Sequence, residues 1–360
     1  MTPVRAFYFG AGLRWQYILL LSFTGAIFFT PIARFIAVLC NVMDVPGDRK
    51  AHLKPTPMLG GMAVHASFAT ALLVNDVFLP QMKVLLAGAA LIFLIGLLDD
   101  IRPLGAGFRF LCQVLVALYV IFFGDITLTF FSLQSWSPVL NVPLTVFWIV
   151  GLTNAMNFFD GLDGLAAGLS MIIAAFFGVA AFLSDQPAMG WFSVAIVGAC
   201  LGFFPYNFRF HRSAEIFLGD AGSTFLGFTL AGLAILGRWS NASAFVSISV
   251  PILILGVLIF DVTYVTLSRI RNRHGNGLLR AVSTPGRDHL HHRLLRMGFV
   301  PKETVFIILT LSACFGVSAL IIMDQNLIRA LLGLAQAILV LGVFVVLMLK
   351  GRENNDSVQR

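Results

Sequence analysis

The chain has 360 residues, of which 58% are hydrophobic and only 11% are charged, and its mean hydropathy is +0.91. A soluble globular domain carries a smaller apolar share, so this composition predicts an all-α polytopic membrane protein. The net charge of +7 comes without a stripe of interleaved basic and aromatic residues, which argues against nucleic-acid binding, and the four isolated cysteines lack the spacing of a zinc site.

Eleven apolar runs along the chain are each about long enough to cross a bilayer. They lie near residues 17–40, 59–75, 82–98, 108–124, 144–158, 164–183, 189–206, 222–237, 245–268, 303–323 and 327–349. We therefore predict about eleven transmembrane helices in a single integral-membrane domain, residues 1–349, followed by a short tail at 350–360. An odd number of spans places the two termini on opposite sides of the membrane.

Lysine and arginine residues decide the predicted orientation, because they accumulate in cytoplasmic loops. With the C-terminus inside, eighteen of them fall on the cytoplasmic side and five outside, and Arg34 lies near the inner end of the first span. The outside group is Arg5, Arg14, Lys83, Arg238 and Arg329. We therefore predict an extracytoplasmic N-terminus and a cytoplasmic C-terminus.

This orientation brings every polar motif to the cytoplasmic face, although it was derived from lysine and arginine alone. The five motif-bearing loops lie near residues 41–58, 99–108, 157–164, 207–221 and 269–302. The segments on the other side are short, apart from residues 125–143. The alternation Thr-Leu-Thr-Phe-Phe at 127–131 predicts a small periplasmic hairpin there.

A polar stripe interrupts the apolar sequence between residues 154 and 164. Asn154, Asn157, Asp160 and Asp163 recur every three residues, so they fall near one face while the segment remains helical. An aspartate at the centre of a membrane span costs about 2.5 to 3.5 kcal/mol, and less near the interface. This cost predicts a functional role for the stripe.

Two other acidic sites lie at the ends of apolar runs. Asp99 and Asp100 follow one run directly, and adjacent carboxylates can supply a base or help to hold a metal ion; a solvated helix end is the alternative. Asp220 precedes a helix predicted to begin near Gly222 and Ser223. A carboxylate beside free backbone amides can share a phosphate and its Mg²⁺, and a simple helix cap is the alternative here.

The last polar loop carries His289-Leu-His-His-Arg293. Three histidines beside arginines form a cationic group that can bind a pyrophosphate or donate a proton. No thiolate accompanies them, and the neighbouring arginines disfavour a second cation, so zinc is the weaker hypothesis.

As a set, these segments resemble the polyprenyl-phosphate N-acetylhexosamine-1-phosphate transferases of glycosyltransferase family 4. The resemblance runs from about Asp44 to Phe299 and covers all five loops. It rests on Arg-Lys-x-His with a later Gly-Gly, Asp-Asp, Asn-x-x-Asn-x-x-Asp-Gly-x-Asp-Gly-Leu, Phe-Leu-Gly-Asp-x-Gly-Ser and His-x-His-His-Arg-Leu. Leu290 interrupts the histidine triplet typical of the peptidoglycan branch. The chain is therefore more similar to the undecaprenyl-phosphate N-acetylglucosamine-1-phosphate transferase branch.

The resemblance implies a multi-pass enzyme of the bacterial inner membrane. It would transfer N-acetylhexosamine 1-phosphate, by default N-acetylglucosamine 1-phosphate, from the UDP-sugar to undecaprenyl phosphate with Mg²⁺ (or Mn²⁺), releasing UMP and starting a lipid-linked surface polysaccharide. Other donors stay open: UDP-linked GalNAc, FucNAc or QuiNAc, and the phospho-MurNAc-pentapeptide donor. An ion-coupled secondary transporter is the alternative from another class, and both a monomer and a homodimer are compatible with the sequence.

The resemblance also implies roles for individual residues. Asp220 would bind Mg²⁺ with Asn157 as a second ligand, and Asp99 or Asp100 would deprotonate or orient the lipid phosphate. Asp160 and Asp163 would position the nucleotide sugar. The other residues implied to contact substrates are Lys50, His52, Arg102, Asn154, Asn207, Phe217, His289, His291, His292 and Arg293. Asn207 and Phe217 would hold the uracil, and the histidine segment would meet the diphosphate.

Two points of chemistry remain as alternatives. Arg102 and Arg109 stand where relatives carry lysines, and arginine can still bind phosphate. Transfer can proceed by direct attack of the lipid phosphate or through a covalent aspartyl intermediate. Direct attack is favoured, because a phosphate oxygen is already a competent nucleophile.

Overall fold

The computed structural model describes residues 13–45, 55–76, 79–129, 137–239, 244–271, 288–323 and 327–358, and this part of the chain is almost entirely helical. Its helices are α1 (Arg14–Leu39), α2 (Gly60–Val74), α3 (Pro80–Ile101), α4 (Ala106–Gly124), α5 (Ser137–Phe159), α6 (Leu165–Leu183), α7 (Pro187–Asn207), α8 (Gly219–Leu236), α9 (Ala244–Ile254), α10 (Gly256–Arg271), α11 (Leu290–Arg296), α12 (Pro301–Ile322) and α13 (Leu327–Val358). Two short strands, β1 (Met43–Asp44) and β2 (Thr56–Pro57), pair antiparallel.

Each of the eleven predicted apolar runs is helical, which confirms the predicted class. Within the described ranges, nine helices are long and apolar enough to cross a membrane, and α9 with α10 forms a bent pair that would make a tenth span. Helix α2 has only 15 residues, or about 22 Å, against a hydrocarbon core of about 30 Å. The chain is therefore a polytopic helical membrane protein.

The run predicted at 245–268 as one span is instead two helices. Residues Val246–Ile254 and Gly256–Ile270 meet at an angle of 78°. Pro251, inside α9, has no N–H to donate, and Gly256 follows the break directly. Proline and glycine are the usual causes of a sharp helix bend. Hydropathy shows that a run is apolar, but it does not show whether the helix axis changes direction within the run.

The hairpin predicted for residues 125–143 is wrong in its second half. Residues 125–129 are irregular, and residues 137–143 form the first two turns of α5, so the short run predicted at 144–158 is a 23-residue helix. Residues 130–136 lie outside the described ranges. Pro143 falls in the second turn of α5, where the broken hydrogen bond lies close to the helix start.

Helix α8 is the centre of the bundle, since 83% of its candidate span is buried. Its glycines allow neighbouring backbones to approach: a Cβ on Gly227 would lie 2.9 Å from the Leu152 carbonyl oxygen of α5, and one on Gly232 would lie 2.3 Å from a Leu85 methyl of α3. Small residues permit such close helix packing in membranes. Helix α8 therefore packs closely against α3 and α5.

Candidate active site

The side chain of Asp220, in the first turn of α8, contacts two other helices. Arg109 in α4 donates from Nη1 to Asp220 Oδ2 at 2.8 Å and to Asp99 Oδ2 at 2.5 Å, so one guanidinium bridges two carboxylates. Asn157, near the end of α5, donates from Nδ2 to Asp220 Oδ1 at 2.9 Å and to Ser223 Oγ at 2.9 Å. Asp99 belongs to α3, so residues of four helices meet around the Asp220 carboxylate. We call Asp99, Asp100, Arg109, Asn157 and Asp220 the Asp220 cluster.

The two adjacent carboxylates at the end of α3 have different partners. Asp99 accepts from Leu104 N–H at 2.5 Å in addition to Arg109. Asp100 accepts from the backbone N–H groups of Asp220 at 2.8 Å and Ala221 at 3.0 Å. Neighbouring side chains point about 100° apart on a helix, which separates the two acids. Asp100 therefore binds the free amides at the start of α8, while Asp99 faces Arg109.

Glycine residues make this junction possible. Gly60 and Gly61 donate their N–H groups to the carbonyl oxygens of Phe217 and Leu218, at 2.9 and 2.7 Å. Gly219 has φ of +77°, and a Cβ there would lie 2.4 Å from the Met58 carbonyl oxygen and 2.6 Å from Asp100 Oδ2. The Gly-Gly and Leu-Gly-Asp motifs are thus needed for close backbone approach.

The turn after α5 is held against the loop that precedes α8. Asp163 Oδ2 accepts from Ala214 N–H at 2.9 Å. Asn207 accepts from Gly164 N–H at 2.9 Å and donates to the Ile216 carbonyl oxygen at 3.0 Å. Both ends of the buried Asn207 amide therefore bond backbone groups of the two loops.

Asp160 lies in the same turn, close to several other acids. Burial raises the pKa of Asp160 well above its usual value, and the negative charges of Asp220, Asp100 and Asp163 raise it further. A hydrogen bond from the Gly219 backbone opposes this rise in pKa and joins Asp160 to the residue before Asp220. The group carries more carboxylates than Arg109 alone neutralises.

The histidine segment packs against the end of α5. Burial lowers the pKa of His291 well below its usual value, and the positive charges of His292 and His289 add to this shift. The rings of Phe158 and His289 are 4.7 Å apart, and those of His291 and His292 are 4.1 Å apart. A Cβ on Gly161 would lie 3.1 Å from His291 Nε2. The segment therefore lies beside the turn that carries Asp160.

Arg293 anchors this segment to the C-terminal helix. Its Nε donates to the Asp288 carbonyl oxygen and its Nη1 to the Met348 carbonyl oxygen of α13, both at 2.6 Å, and its guanidinium lies 5.1 Å from the centre of the Tyr264 ring. Burial acts to raise the pKa of Asp288, but two hydrogen bonds from Arg269 outweigh it and lower that pKa.

The structure gives the remaining predicted residues other partners or positions. Asn154 donates to Gln113 Oε1 at 2.6 Å and to the Val150 carbonyl oxygen at 2.8 Å, within the bundle. Arg102 is exposed at the end of α3, and Phe217 is half-buried in the strand-like contact with Pro57. Lys50 and His52 lie outside the described residues.

Three residues that sequence reasoning left out take part in these contacts. Ser223 bonds Asn157, Gln113 bonds Asn154, and Asp261 of α10 contacts His289 and Leu290. Gln113 and Asp261 are single polar residues inside apolar runs. A polar side chain in a membrane helix is energetically costly, and this cost is itself a signal that could have identified them.

The oxygen ligands of the Asp220 cluster are of the type that Mg²⁺ prefers, and their excess negative charge favours a cation. Among the described residues, however, no three histidine, cysteine or acidic side chains are placed to hold a metal ion together. Arg109 bridges Asp99 and Asp220 instead. The donors therefore fit Mg²⁺ in chemistry, and binding at Asp220 requires the Arg109 contact to Oδ2 to open.

Comparison with known proteins adds independent information. The sequence model described as glycosyl transferase family 4 matches residues 82–238. A Bacillus subtilis (strain 168) protein named "probable undecaprenyl-phosphate N-acetylglucosaminyl 1-phosphate transferase" is 35% identical over 86% of this chain and 85% of its own length. A Mycolicibacterium smegmatis "decaprenyl-phosphate N-acetylglucosaminephosphotransferase" is 30% identical over 95% of this chain and 91% of its own. An Escherichia coli (strain K12) "undecaprenyl-phosphate alpha-N-acetylglucosaminyl 1-phosphate transferase" is 29% identical over 78% of this chain and 76% of its own length.

Proposed function

The chain belongs to glycosyl transferase family 4, and we propose that it transfers N-acetylglucosamine 1-phosphate from UDP-N-acetylglucosamine to undecaprenyl phosphate, releasing UMP. The observation that carries this proposal is the meeting of Asp99, Asp100, Arg109, Asn157 and Asp220 at the ends of four apolar helices. A lipid-linked acceptor explains why charged groups gather where these helices end. The three relatives are named for N-acetylglucosamine phosphate transfer, which favours this donor over the other N-acetylhexosamines, the pentapeptide donor and a transporter.

Phosphoryl transfer needs positioning and charge neutralisation more than covalent help from the protein. Asp99 would orient the lipid phosphate or take its proton, since Arg109 beside it can bind a phosphate oxygen. Asp100 would act through Asp220, because its oxygens bind backbone amides of α8. These contacts support direct attack by the lipid phosphate rather than an aspartyl intermediate.

The donor would lie between the turn at Asp160 and the histidine segment. Asp160 would contact the nucleotide sugar directly, while Asp163 would hold the loop before α8 through Ala214. His289 and His291 would face the diphosphate, and Arg293 would anchor their helix to α13. Asp220 and Asn157 would hold Mg²⁺, and the bound ion would supply positive charge for the diphosphate.

The first test is UMP release by purified protein in detergent with undecaprenyl phosphate, Mg²⁺ and a panel of UDP-sugars. We expect UMP from UDP-N-acetylglucosamine only when lipid and Mg²⁺ are both present, because the cluster carries too much negative charge to bind two anions unaided. Controls omit the lipid or add a chelator. UMP release without lipid, or substrate uptake into proteoliposomes without any UMP, would contradict the proposed reaction.

We further propose eleven spans in a bacterial inner membrane, with the cluster on the cytoplasmic side. The count combines the nine long helices, the bent pair and α2, and the orientation follows the lysine and arginine distribution. A reporter fused after Arg360 is expected to be active only as a cytoplasmic fusion. A matched fusion in the segment between α3 and α4, near Leu104, should report the same side. Periplasmic activity at either point would show that the orientation is wrong.

A further inference from the structure

A carboxylate outside the Asp220 cluster contacts the histidine segment at two points. Asp261 lies in α10, six residues after the break at Leu255, and none of its surface is exposed. Its Oδ2 lies 2.7 Å from His289 Nδ1, and its Oδ1 accepts from Leu290 N–H at 2.8 Å. A fully buried carboxylate is unfavourable unless both oxygens are paired, so these two bonds explain how Asp261 is tolerated.

The contact determines the state of the His289 ring. With Asp261 ionised, both of its oxygens accept hydrogen bonds, and the contact then assigns a hydrogen to Nδ1 of the ring. Nε2 is then the free atom: an acceptor in the neutral ring and a donor in the imidazolium. Nε2 is buried and has no hydrogen-bond partner in the part of the chain that the structure describes. Such an unpaired nitrogen requires an explanation, and a partner that arrives with the substrate is one.

The His289 ring packs against the helix end that carries Asn157 of the Asp220 cluster. His289 packs on Phe158, the residue after Asn157, which donates to Asp220. The His291 ring lies 6.3 Å from that of His289 and borders Gly161, next to Asp160. His289 therefore borders the same helix end that would bind the donor.

We propose that Asp261 is a positioning residue that holds His289 with Nδ1 protonated and leaves Nε2 free for a diphosphate oxygen of the donor. This inference rests on the proposed function, which supplies the diphosphate. When His289 is an imidazolium, its Nε2–H donates a hydrogen bond to the oxygen on which charge develops as UMP leaves. The second Asp261 oxygen fixes the first residue of α11, so ring and helix are aligned together.

The first test is Asp261→Asn. A carboxamide can still accept from Leu290 N–H through its oxygen, but its NH₂ group then faces His289 Nδ1 and favours the opposite tautomer. We expect kcat to fall about 100-fold or more, with KM for UDP-N-acetylglucosamine changed less than about two-fold.

A double-variant cycle separates positioning from simple stabilisation. His289→Ala should lower kcat by a similar factor, and Asp261→Asn should have no further effect in that background, because Asp261 acts through His289. Full activity of Asp261→Asn, or losses that multiply in the double variant, would overturn the inference. The wild-type protein is assayed in parallel, so failure of the proposed function shows as absent UMP in the wild type.

A second measurement does not depend on turnover or on the folding of Asp261→Asn. In wild-type protein labelled with ¹⁵N-histidine, with His289 assigned by comparison with His289→Ala, solid-state NMR should show Nδ1 protonated in the neutral ring. A neutral ring protonated on Nε2 would overturn the inference. Asp288→Asn is the matched control: it removes a neighbouring charge that bonds Arg269 rather than the His289 ring, so the signal can shift but Nδ1 should remain the protonated atom of the neutral ring.

Discussion

Asp220→Ala is expected to lower turnover at least about 1,000-fold and to remove its dependence on Mg²⁺, because the side chain is the meeting point of four helices and the proposed metal ligand. The variant should still fold. Arg109 keeps its bond to Asp99, and Asn157 keeps its bond to Ser223. Loss of the acid's interaction with the helix dipole costs about 0.3 to 1 kcal/mol, and loss of the bonds from Arg109 and Asn157 adds about 0.5 to 1.5 kcal/mol each. UMP release and thermal unfolding in detergent, measured on the same preparation, check both parts.

The matched control for Asp220 is Glu303→Ala. Glu303 is also an acid in the first turn of a membrane helix, α12, where it accepts from Val300 N–H at 3.0 Å. It is exposed and should lose a comparable amount of stability without losing turnover. Activity of Asp220→Ala near that of Glu303→Ala would remove Asp220 from the reaction.

Gly61→Ala is expected to destabilise the protein by about 1 to 3 kcal/mol or more and to abolish turnover. A Cβ on Gly61 would lie 2.3 Å from the Gly222 nitrogen and 2.6 Å from its Cα, and neither backbone atom can move alone. The start of α8 would have to separate from α2, which breaks the bond between Gly61 N–H and the Leu218 carbonyl oxygen and displaces Asp220. Loss of thermal stability together with UMP release checks this result.

Gly151→Ala provides the comparison, because no described atom lies within 4 Å of a Cβ at that position in α5. Alanine is favoured over glycine in a helix by up to about 1 kcal/mol, so this variant should be at least as stable as the wild type. Equal stability and turnover of the two alanine variants would show that close contact between α2 and α8 is not required.

The helices could be predicted from sequence because a long apolar run in lipid must satisfy its own backbone hydrogen bonds, and a helix does so within one segment. The same argument says nothing about the direction of the helix axis, so it does not predict the 78° bend between α9 and α10. It also fails where the apolar pattern weakens. The first two turns of α5 were predicted as part of a hairpin for that reason.

The residues that form the candidate site can be predicted from the sequence, but the contacts of each residue within it cannot. Asp99, Asp100, Asn157 and Asp220 do lie in one hydrogen-bonded cluster. However, a sequence cannot distinguish a polar group that faces a ligand from one that binds the protein backbone. Asn207 is of the second kind in this structure. Its proposed contact with uracil stays a prediction.

Arg109 and Asp261 show the opposite difficulty, since their importance depends on partners far away in the chain. Arg109 was considered only as a phosphate ligand, yet it bridges carboxylates that are 121 positions apart in sequence, at Asp99 and Asp220. Asp261 stands alone in an apolar run, so no spacing marked it. The cost of an acid in an apolar run marks Asp261 as unusual, but the partners of both residues are defined only by the packing of the helices.

The bonds that join Asp100 to the first amides of α8 have a consequence for the entropy of the reaction. With Gly60 and Gly61 bonded to the loop before α8, the backbone beneath Asp220 is fixed from two sides by other helices. The conformational entropy that must be lost to position this carboxylate is lost once, when the protein folds. It need not recur in each catalytic cycle, which is the advantage of a preorganised site over one assembled by its substrates.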